Sequence, residues 1–311
     1  MPETYVITGG AGFIGSHIAE RLLRDGHTVR IVDNFATGKR ENLAVLPPGC
    51  ELFEVSITSK AALDEAFAGA DYVLHQAALP SVPRSIDDPL TTHEYNVTGT
   101  LNVLLAARDA GVKRVAYAAS SSAYGDIEGE YKDETMAPRP LSPYGVSKLA
   151  GEYYAQAFTA VYGLETVALR YFNVFGPRQD ETSQYAAVIP RFLAAMLRGE
   201  SPIIYGDGLQ SRDFTYVDNV VHGNLLALRA PQAAGQMMNL ATGGRISLLD
   251  LVDRLNVILG THIQPVHEPA RTGDIKHSRA SVTKAGELLG FEPVVEFDEG
   301  LARTAAWFRS R

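Results

Sequence analysis

The residues best suited to chemistry are a phenol and an ammonium four positions apart. Tyr144-Gly145-Val146-Ser147-Lys148 sets them one above the other on a single helix face. A free tyrosine titrates near ~10 and a free lysine near ~10.4, so neither is a base at neutral pH in isolation. A nearby cation favours the phenolate, and Tyr144 then becomes a general base. Upstream, a strand over Arg114 to Ala119 delivers Ser120-Ser121-Ser122-Ala123-Tyr124-Gly125, whose hydroxyls can hand protons between a substrate hydroxyl and Tyr144. A Tyr-x-x-x-Lys pair alone is also what an exposed helix shows, and a serine-rich turn can simply end a strand. The elements around them decide.

Those elements alternate. Tyr5 to Thr8, Thr28 to Val32, Leu52 to Val55, Tyr72 to His75, Arg114 to Ala118 and Thr166 to Arg170 read as strands. Between them lie helices over His17 to Asp25, Ala61 to Phe67, Asn96 to Ala110 and Tyr144 to Tyr162. Such alternation implies an α/β fold, a doubly wound parallel sheet of Rossmann type, with its site at the carboxyl ends of the strands. The first strand runs into Gly9-Gly10-Ala11-Gly12-Phe13-Ile14-Gly15 and then a helix, spaced GxxGxxG. Gly9 allows the tight turn, Gly12 the close approach of backbone to a pyrophosphate and Gly15 the packing of helix on strand. Asp33 ends the second strand, 18 residues after Gly15, where a carboxylate can accept from both ribose hydroxyls of an adenosine. That favours NAD over NADP, a preference that Lys39 and Arg40 in the next loop weaken a little.

After Val174 the sequence becomes irregular and is punctuated by Gly and Pro, with helices near Val188 to Leu197 and Leu248 to Leu259. We expect an NAD-binding domain over 1–175, rejoined by a segment of about 214–242, and a smaller α+β substrate lobe over 176–311. The 311 residues are 46% apolar and 21% charged, which suits a globular protein with a sizeable core. A net charge of −8 leaves no basic field for nucleic acid, so any bound phosphate must be met by local groups. The single Cys50 excludes an internal disulfide, and His17, His75 and His93 lack metal-ligand spacing; they read as capping, core or loop residues. Without a signal-like N-terminus or an apolar run of about 18 residues, a cytoplasmic protein with no membrane span is expected.

Together these motifs resemble the extended short-chain dehydrogenase/reductase family, and within it the nucleotide-sugar 4-epimerases. The resemblance also rests on His75-Gln76-Ala77-Ala78, Asn96-Val97-Thr98-Gly99-Thr100, Arg170-Tyr171-Phe172-Asn173-Val174, Arg212-Asp213-Phe214 and Arg271-Thr272-Gly273-Asp274. It implies Tyr144 as the base at the sugar O4, Ser120 bonded to O4, Ser121 and Ser122 beside it, and Lys148 on the nicotinamide ribose. It further implies that Asn34, Phe35, Thr37 and Gly38 wrap the adenosine, while Ser56, Ile57, Ala77, Ala78, Asn96 and Tyr171 complete the cofactor site with Phe13 and Ile14. Toward a UDP-sugar it implies Val82, Arg84, Ser122, Asn173, Ala187, Val188, Tyr205, Arg212, Arg271, Asp274 and Ser278. Two arginines suit a diphosphate, because guanidinium binds phosphate bidentately. The implied reaction is a redox cycle with no net redox, in which a 4-keto sugar turns about its diphosphate before hydride returns. A homodimer through Thr100 to Ala110 and Gly145 to Tyr162 is implied as well.

Three departures matter. Ser56-Ile57 stands where the family has an aspartate before an isoleucine, and Pro80 where some members carry a lysine. Ser278 replaces the tyrosine of strict UDP-glucose epimerases, which enlarges the pocket beside C2 and points to N-acetylated sugars. Serines at 121 and 122 lack the acid pair of the 4,6-dehydratases and the glutamate of the UDP-glucuronate decarboxylases. A UDP-glucuronate 4-epimerase stays open, with Arg84, Thr182, Ser183 or Ser278 to receive the carboxylate. A catalytically silent NAD(H)-binding sensor is disfavoured by the retention of both Tyr144 and Lys148.

Overall fold

The computed structural model describes residues 2–127, 129, 131–181, 187–270 and 276–311. The chain opens with β1 (Thr4–Thr8), α1 (Phe13–Arg24), β2 (Thr28–Val32), α2 (Arg40–Ala44), β3 (Cys50–Phe53), α3 (Lys60–Phe67) and β4 (Tyr72–His75). Two short helices, α4 (Val82–Asp87) and α5 (Pro89–His93), precede a π-turn over Glu94–Thr98 and α6 (Gly99–Asp109). Next come β5 (Arg114–Ser120), α7 (Pro143–Tyr162), β6 (Glu165–Tyr171), β7 (Val174–Phe175) and α8 (Val188–Leu197). They are followed by β8 (Ile203–Tyr205), β9 (Ser211–Arg212), β10 (Thr215–Tyr216), α9 (Val217–Arg229) and β11 (Gln236–Leu240). The chain closes with β12 (Ile246–Ser247), α10 (Leu248–Leu259), β13 (Val266–Glu268), β14 (His277–Ser278), α11 (Thr283–Leu289) and α12 (Phe297–Arg309).

Seven strands form one parallel sheet in the order β11-β6-β5-β4-β1-β2-β3. The order reverses between β1 and β4, and that crevice is where an open α/β sheet binds its ligand. Alternation along β1 divides the core. Tyr5 and Ile7 pack with Ile18 and Leu22 of α1 and Val221 of α9, whereas Val6 joins Leu63 of α3, Val103 and Leu104 of α6 and Phe158 of α7. Covered on both faces, β4 and β5 are buried at every residue. A separate core around Phe175, Phe192, Leu193, Phe214, Leu251 and Leu301 joins α8, α10 and α12 to the short strands, among them the three-stranded sheet β12-β9-β14.

Helix α7 is well delimited. Its N-cap Ser142 accepts from Gly145 N at 3.1 Å, Pro143 occupies the first turn and Gly163 at φ 71° ends it. Three expectations shift. Helix α1 begins at Phe13, ahead of the start expected at His17. The third strand lies at Cys50–Phe53 because Val29 pairs with Cys50, and its half-exposed edge position gives alternation little to report. The helix expected from Asn96 begins as the π-turn. Helices α4 and α5 have no long apolar period; they are set by their caps, Ser81 accepting from Arg84 N at 3.2 Å and Asp88 from Thr91 N at 3.1 Å. Among the described residues no helix is long and apolar enough to cross a membrane.

Candidate active site

A cleft of about 250 Å³ opens at the carboxyl ends of β1, β2, β4 and β5. Gly9, Gly12, Phe13, Ile14 and Gly15 form its floor, with Asp33, Asn34 and Thr37 at one end and Tyr144, Lys148 and Tyr171 at the other. The glycine turn cannot take side chains: a Cβ on Gly9, at φ 71°, would lie 2.7 Å from Ala77 N, and one on Gly15 would lie 2.2 Å from the Gly9 carbonyl oxygen. Helix α1 starts at Gly12 with no side-chain cap and no acidic residue in its first turn, so its backbone N–H groups face the cleft as an anion site. Asp33 Oδ2 accepts from Ala11 N at 2.9 Å and Oδ1 from Phe35 N at 2.8 Å; these bonds fix the carboxylate while burial pushes its pKa up. Lys39 is paired with Asp180 at 3.0 Å and Arg40 with Glu54 at 2.6 Å, so both nearby cations already hold carboxylates. These features fit a dinucleotide: a cradle for the pyrophosphate, and a carboxylate for the ribose.

Two turns of chemistry meet at the other end. The Tyr144 phenol is raised by burial, and the hydrogen bond with Ser120 pulls it back. Lys148 is 4% exposed, and burial alone brings its ammonium down to about 7. Its Nζ lies 4.9 Å from the centre of the Tyr117 ring, whose face supports a cation there. Burial thus drives both partners toward their neutral forms. The pull that opposes burial at the phenol comes from Ser120. Ser120 also accepts from Ser122 N at 3.2 Å, which turns the chain into a short 3-10 segment over Ser121–Ala123.

A buried relay stands behind this wall. Thr8 Oγ1 and His75 Nδ1 are 2.7 Å apart, and His75 Nε2 lies 2.9 Å from Thr100 Oγ1, which donates to Asn96 O at 2.7 Å. Burial holds His75 down to about 3, so it is a neutral core histidine at physiological pH. Asn96 does not reach the cleft wall: its amide grips Leu79 N and O at 2.7 and 3.1 Å and Ser147 Oγ at 3.1 Å, tying the wall loop to α7. Tyr171 does line the cleft, and its hydroxyl donates to Asn224 Oδ1 at 3.0 Å. Ala77, Ala78, Ile57 and Pro80 line it too, whereas Ser56, Phe35 and Gly38 do not. Asn224 and Tyr95 carry no signal in the local sequence, because their partners lie 53 and 61 residues away.

The sugar-side candidates are arranged differently. Arg212 and Ser278 are register partners in β9 and β14, so they share one face of the small sheet. Arg212 Nη1 donates to the carbonyls of Ser211 and Lys276 at 3.0 and 3.2 Å. Asn173, at φ 33°, donates to Asp213 O at 2.9 Å. Ala187 and Val188 begin α8 with no side-chain cap, Tyr205 ends β8, and Val82 and Arg84 lie on α4. None of these lines the cleft of the cofactor candidates. Arg271, Asp274, Thr182 and Ser183 fall outside the described residues. Asp213 is fully buried; its carboxylate accepts from Thr242 N and Oγ1, Gly243 N and Ala280 N at 2.9–3.2 Å. It therefore joins three segments of the lobe.

A doubly wound sheet with an uncapped helix N-terminus and a tyrosine-lysine helix at its switch point defines a dinucleotide-dependent enzyme of the short-chain dehydrogenase class. The model of the NAD dependent epimerase/dehydratase family matches residues 5–241, and the chain belongs to that family. It is 37% identical over 311 residues to the UDP-glucose 4-epimerase of Mycolicibacterium smegmatis, with 98% of each chain covered. The UDP-N-acetylglucosamine 4-epimerase of Methanobrevibacter ruminantium M1, solved in complex with UDP-N-acetylmuramic acid, is 40% identical, with a TM-score of 0.94 over 100% of this chain and 99% of that one. The UDP-glucuronic acid 4-epimerase of Bacillus cereus, solved with UDP-glucuronic acid and NAD, is 31% identical, with a TM-score of 0.91 and 99% of each chain covered.

Proposed function

We propose that this chain is an NAD-dependent 4-epimerase of UDP-hexoses, interconverting UDP-N-acetylglucosamine with UDP-N-acetylgalactosamine and UDP-glucose with UDP-galactose. The observation that carries the reading is the meeting of Tyr144, hydrogen-bonded to Ser120, and Lys148 in one cleft with the uncapped start of α1. The chemistry supplied by bound NAD is the reversible acceptance of the C4 hydride. Tyr144 takes the O4 proton, with Ser120 aligning the two oxygens. For the phenol to act as a base its raised pKa must fall, and a positive ring beside it together with the protonated fraction of Lys148 acts in that direction. On the return step Tyr144 hands the proton back to O4. The neutral hydroxyls of Ser121 and Ser122 offer no acid pair to eliminate water, so the cycle ends at inversion.

The small Ser278, beside Arg212 in register, supports room for an N-acetyl group. A second reading, a UDP-glucuronate 4-epimerase, is favoured by the likeness to the Bacillus cereus enzyme and by Arg84 on α4. A homodimer is part of the same proposal: Val146, Tyr153, Tyr154, Val161 and Tyr162 of α7 are exposed, an apolar set suited to a partner's copy of the same helix. The test is to give the purified protein UDP-N-acetylglucosamine, UDP-glucose and UDP-glucuronate in parallel and resolve the 4-epimers by ion-pair chromatography. Conversion of the N-acetylated sugar at least as fast as UDP-glucose supports the first reading. Conversion of UDP-glucuronate alone replaces it with the second.

A further inference from the structure

At the adenosine end of the cleft two side chains meet across it. Asn34 follows β2, and Tyr95 lies on the π-turn Glu94–Thr98; Asn34 Nδ2 donates to the Tyr95 hydroxyl over 3.2 Å, and both residues line the cleft. Asn34 is aimed by its own turn, where Oδ1 accepts from Ala36 N at 3.2 Å. A phenol that accepts one hydrogen bond still has its own proton to donate. Tyr95 can therefore donate to a ring nitrogen of a base held below it.

The opposite wall is an acceptor-poor surface. Val55 and Ile57 line the cleft, and Ser56 between them does not. Its hydroxyl accepts from Thr58 N at 3.2 Å and lies 2.8 Å from Thr58 Oγ1. Among the described residues Asp33 is the one carboxylate on the cleft wall, and both of its oxygens already take backbone N–H groups. Among the described residues nothing charged on this wall is placed to receive an exocyclic amine.

We propose that the Asn34–Tyr95 bridge is the clamp on the adenine. It reads the ring-nitrogen acceptors of the base and not its 6-amino group, and it must part before the dinucleotide leaves. The proposal rests on the NAD reading and goes beyond it in two ways. Replacing the amino group by a carbonyl, as in nicotinamide hypoxanthine dinucleotide, leaves N3 and N7 as acceptors, so affinity stays within about 3-fold. Removing the phenol proton by Tyr95→Phe speeds release about 5- to 10-fold, the effect of one net hydrogen bond.

The experiment uses full-length protein freed of bound nucleotide. Calorimetric titration with NAD and with the hypoxanthine analogue gives the two affinities, and a chase of labelled NAD by excess unlabelled NAD gives the off-rate of wild type and Tyr95→Phe. Thermal melts check that the variant is folded. Equal affinities and a faster chase in the variant are expected. A preference for NAD above about 10-fold, or a variant that releases NAD at the wild-type rate, overturns the clamp while leaving the cofactor reading intact. Binding of neither dinucleotide by wild type overturns both. Should Tyr95→Phe fail to fold, the wild-type comparison of the two bases still decides.

Discussion

The two sides of the molecule hold their functional groups by different means. On the dinucleotide side the groups stand at the ends of long buried strands and are braced again from behind, as Asn96 braces Leu79 and Ser147 and Asn224 braces Tyr171. A buried ion pair, Glu152 with Arg170 at 2.7 Å, locks α7 to β6 between Lys148 and Tyr171. On the sugar side the candidates Arg212 and Ser278 sit on strands of two residues, β9 and β14, and one buried carboxylate, Asp213, holds the segments together. The first arrangement fixes atoms to within a narrow range and changes at great expense to the fold. The second lets a pocket vary without disturbing the cofactor.

The largest effect that sharpens this contrast is on the chemistry itself. Tyr144→Phe is expected to lower kcat by ~10³-fold, the range for a lost general base, while calorimetry finds NAD affinity unchanged. A fall below ten-fold would take the phenol out of the proton path. Asp213→Ala comes next. It strands three backbone donors and should lower stability by about 3 kcal/mol in urea unfolding, while raising KM for the UDP-sugar more than Kd for NAD. Equal losses on both would break the distinction between the two sides.

Lys148→Met should stabilise the nucleotide-free protein while abolishing turnover. With its folded pKa near 7 and an unfolded value near ~10.4, this lysine binds fewer protons in the fold than in the unfolded chain between those limits. Burying it therefore lowers stability fully below about pH 7, and the penalty fades as pH rises toward 10.4. Melts across pH should show Lys148→Met gaining about 5 °C at pH 6–7 and little near pH 10. A gain that grows with pH has the wrong sign for this account. The smallest effect is on the sugar side: Ser278→Tyr should shift the kcat/KM ratio of UDP-N-acetylglucosamine to UDP-glucose by roughly 10-fold against the N-acetylated sugar. An unchanged ratio would remove Ser278 from the specificity pocket.

The same contrast governs what could be read in advance. Strands Thr28–Val32 and Tyr72–His75 and helices Val188–Leu197 and Leu248–Leu259 stand at the bounds their apolar periods define. The glycine turn was legible because only glycine tolerates those close approaches, and the Tyr144–Lys148 spacing because helix geometry makes i and i+4 neighbours. The low pKa of Lys148 was not legible, since it comes from burial by distant elements. Nor was the Asn34–Tyr95 bridge, whose partners are far apart in the chain, or the withdrawal of Asn96 behind the wall, which follows from its grip on Leu79.

The central claim is that hydride leaves C4 and returns to it while Tyr144 moves only the O4 proton. Turnover of UDP-N-acetylglucosamine in D2O with NAD present, followed by mass spectrometry and proton NMR of the product at C4, tests it directly. The account predicts epimerised product that carries protium at C4. Deuterium at C4 would show exchange of that hydrogen with solvent and would contradict it.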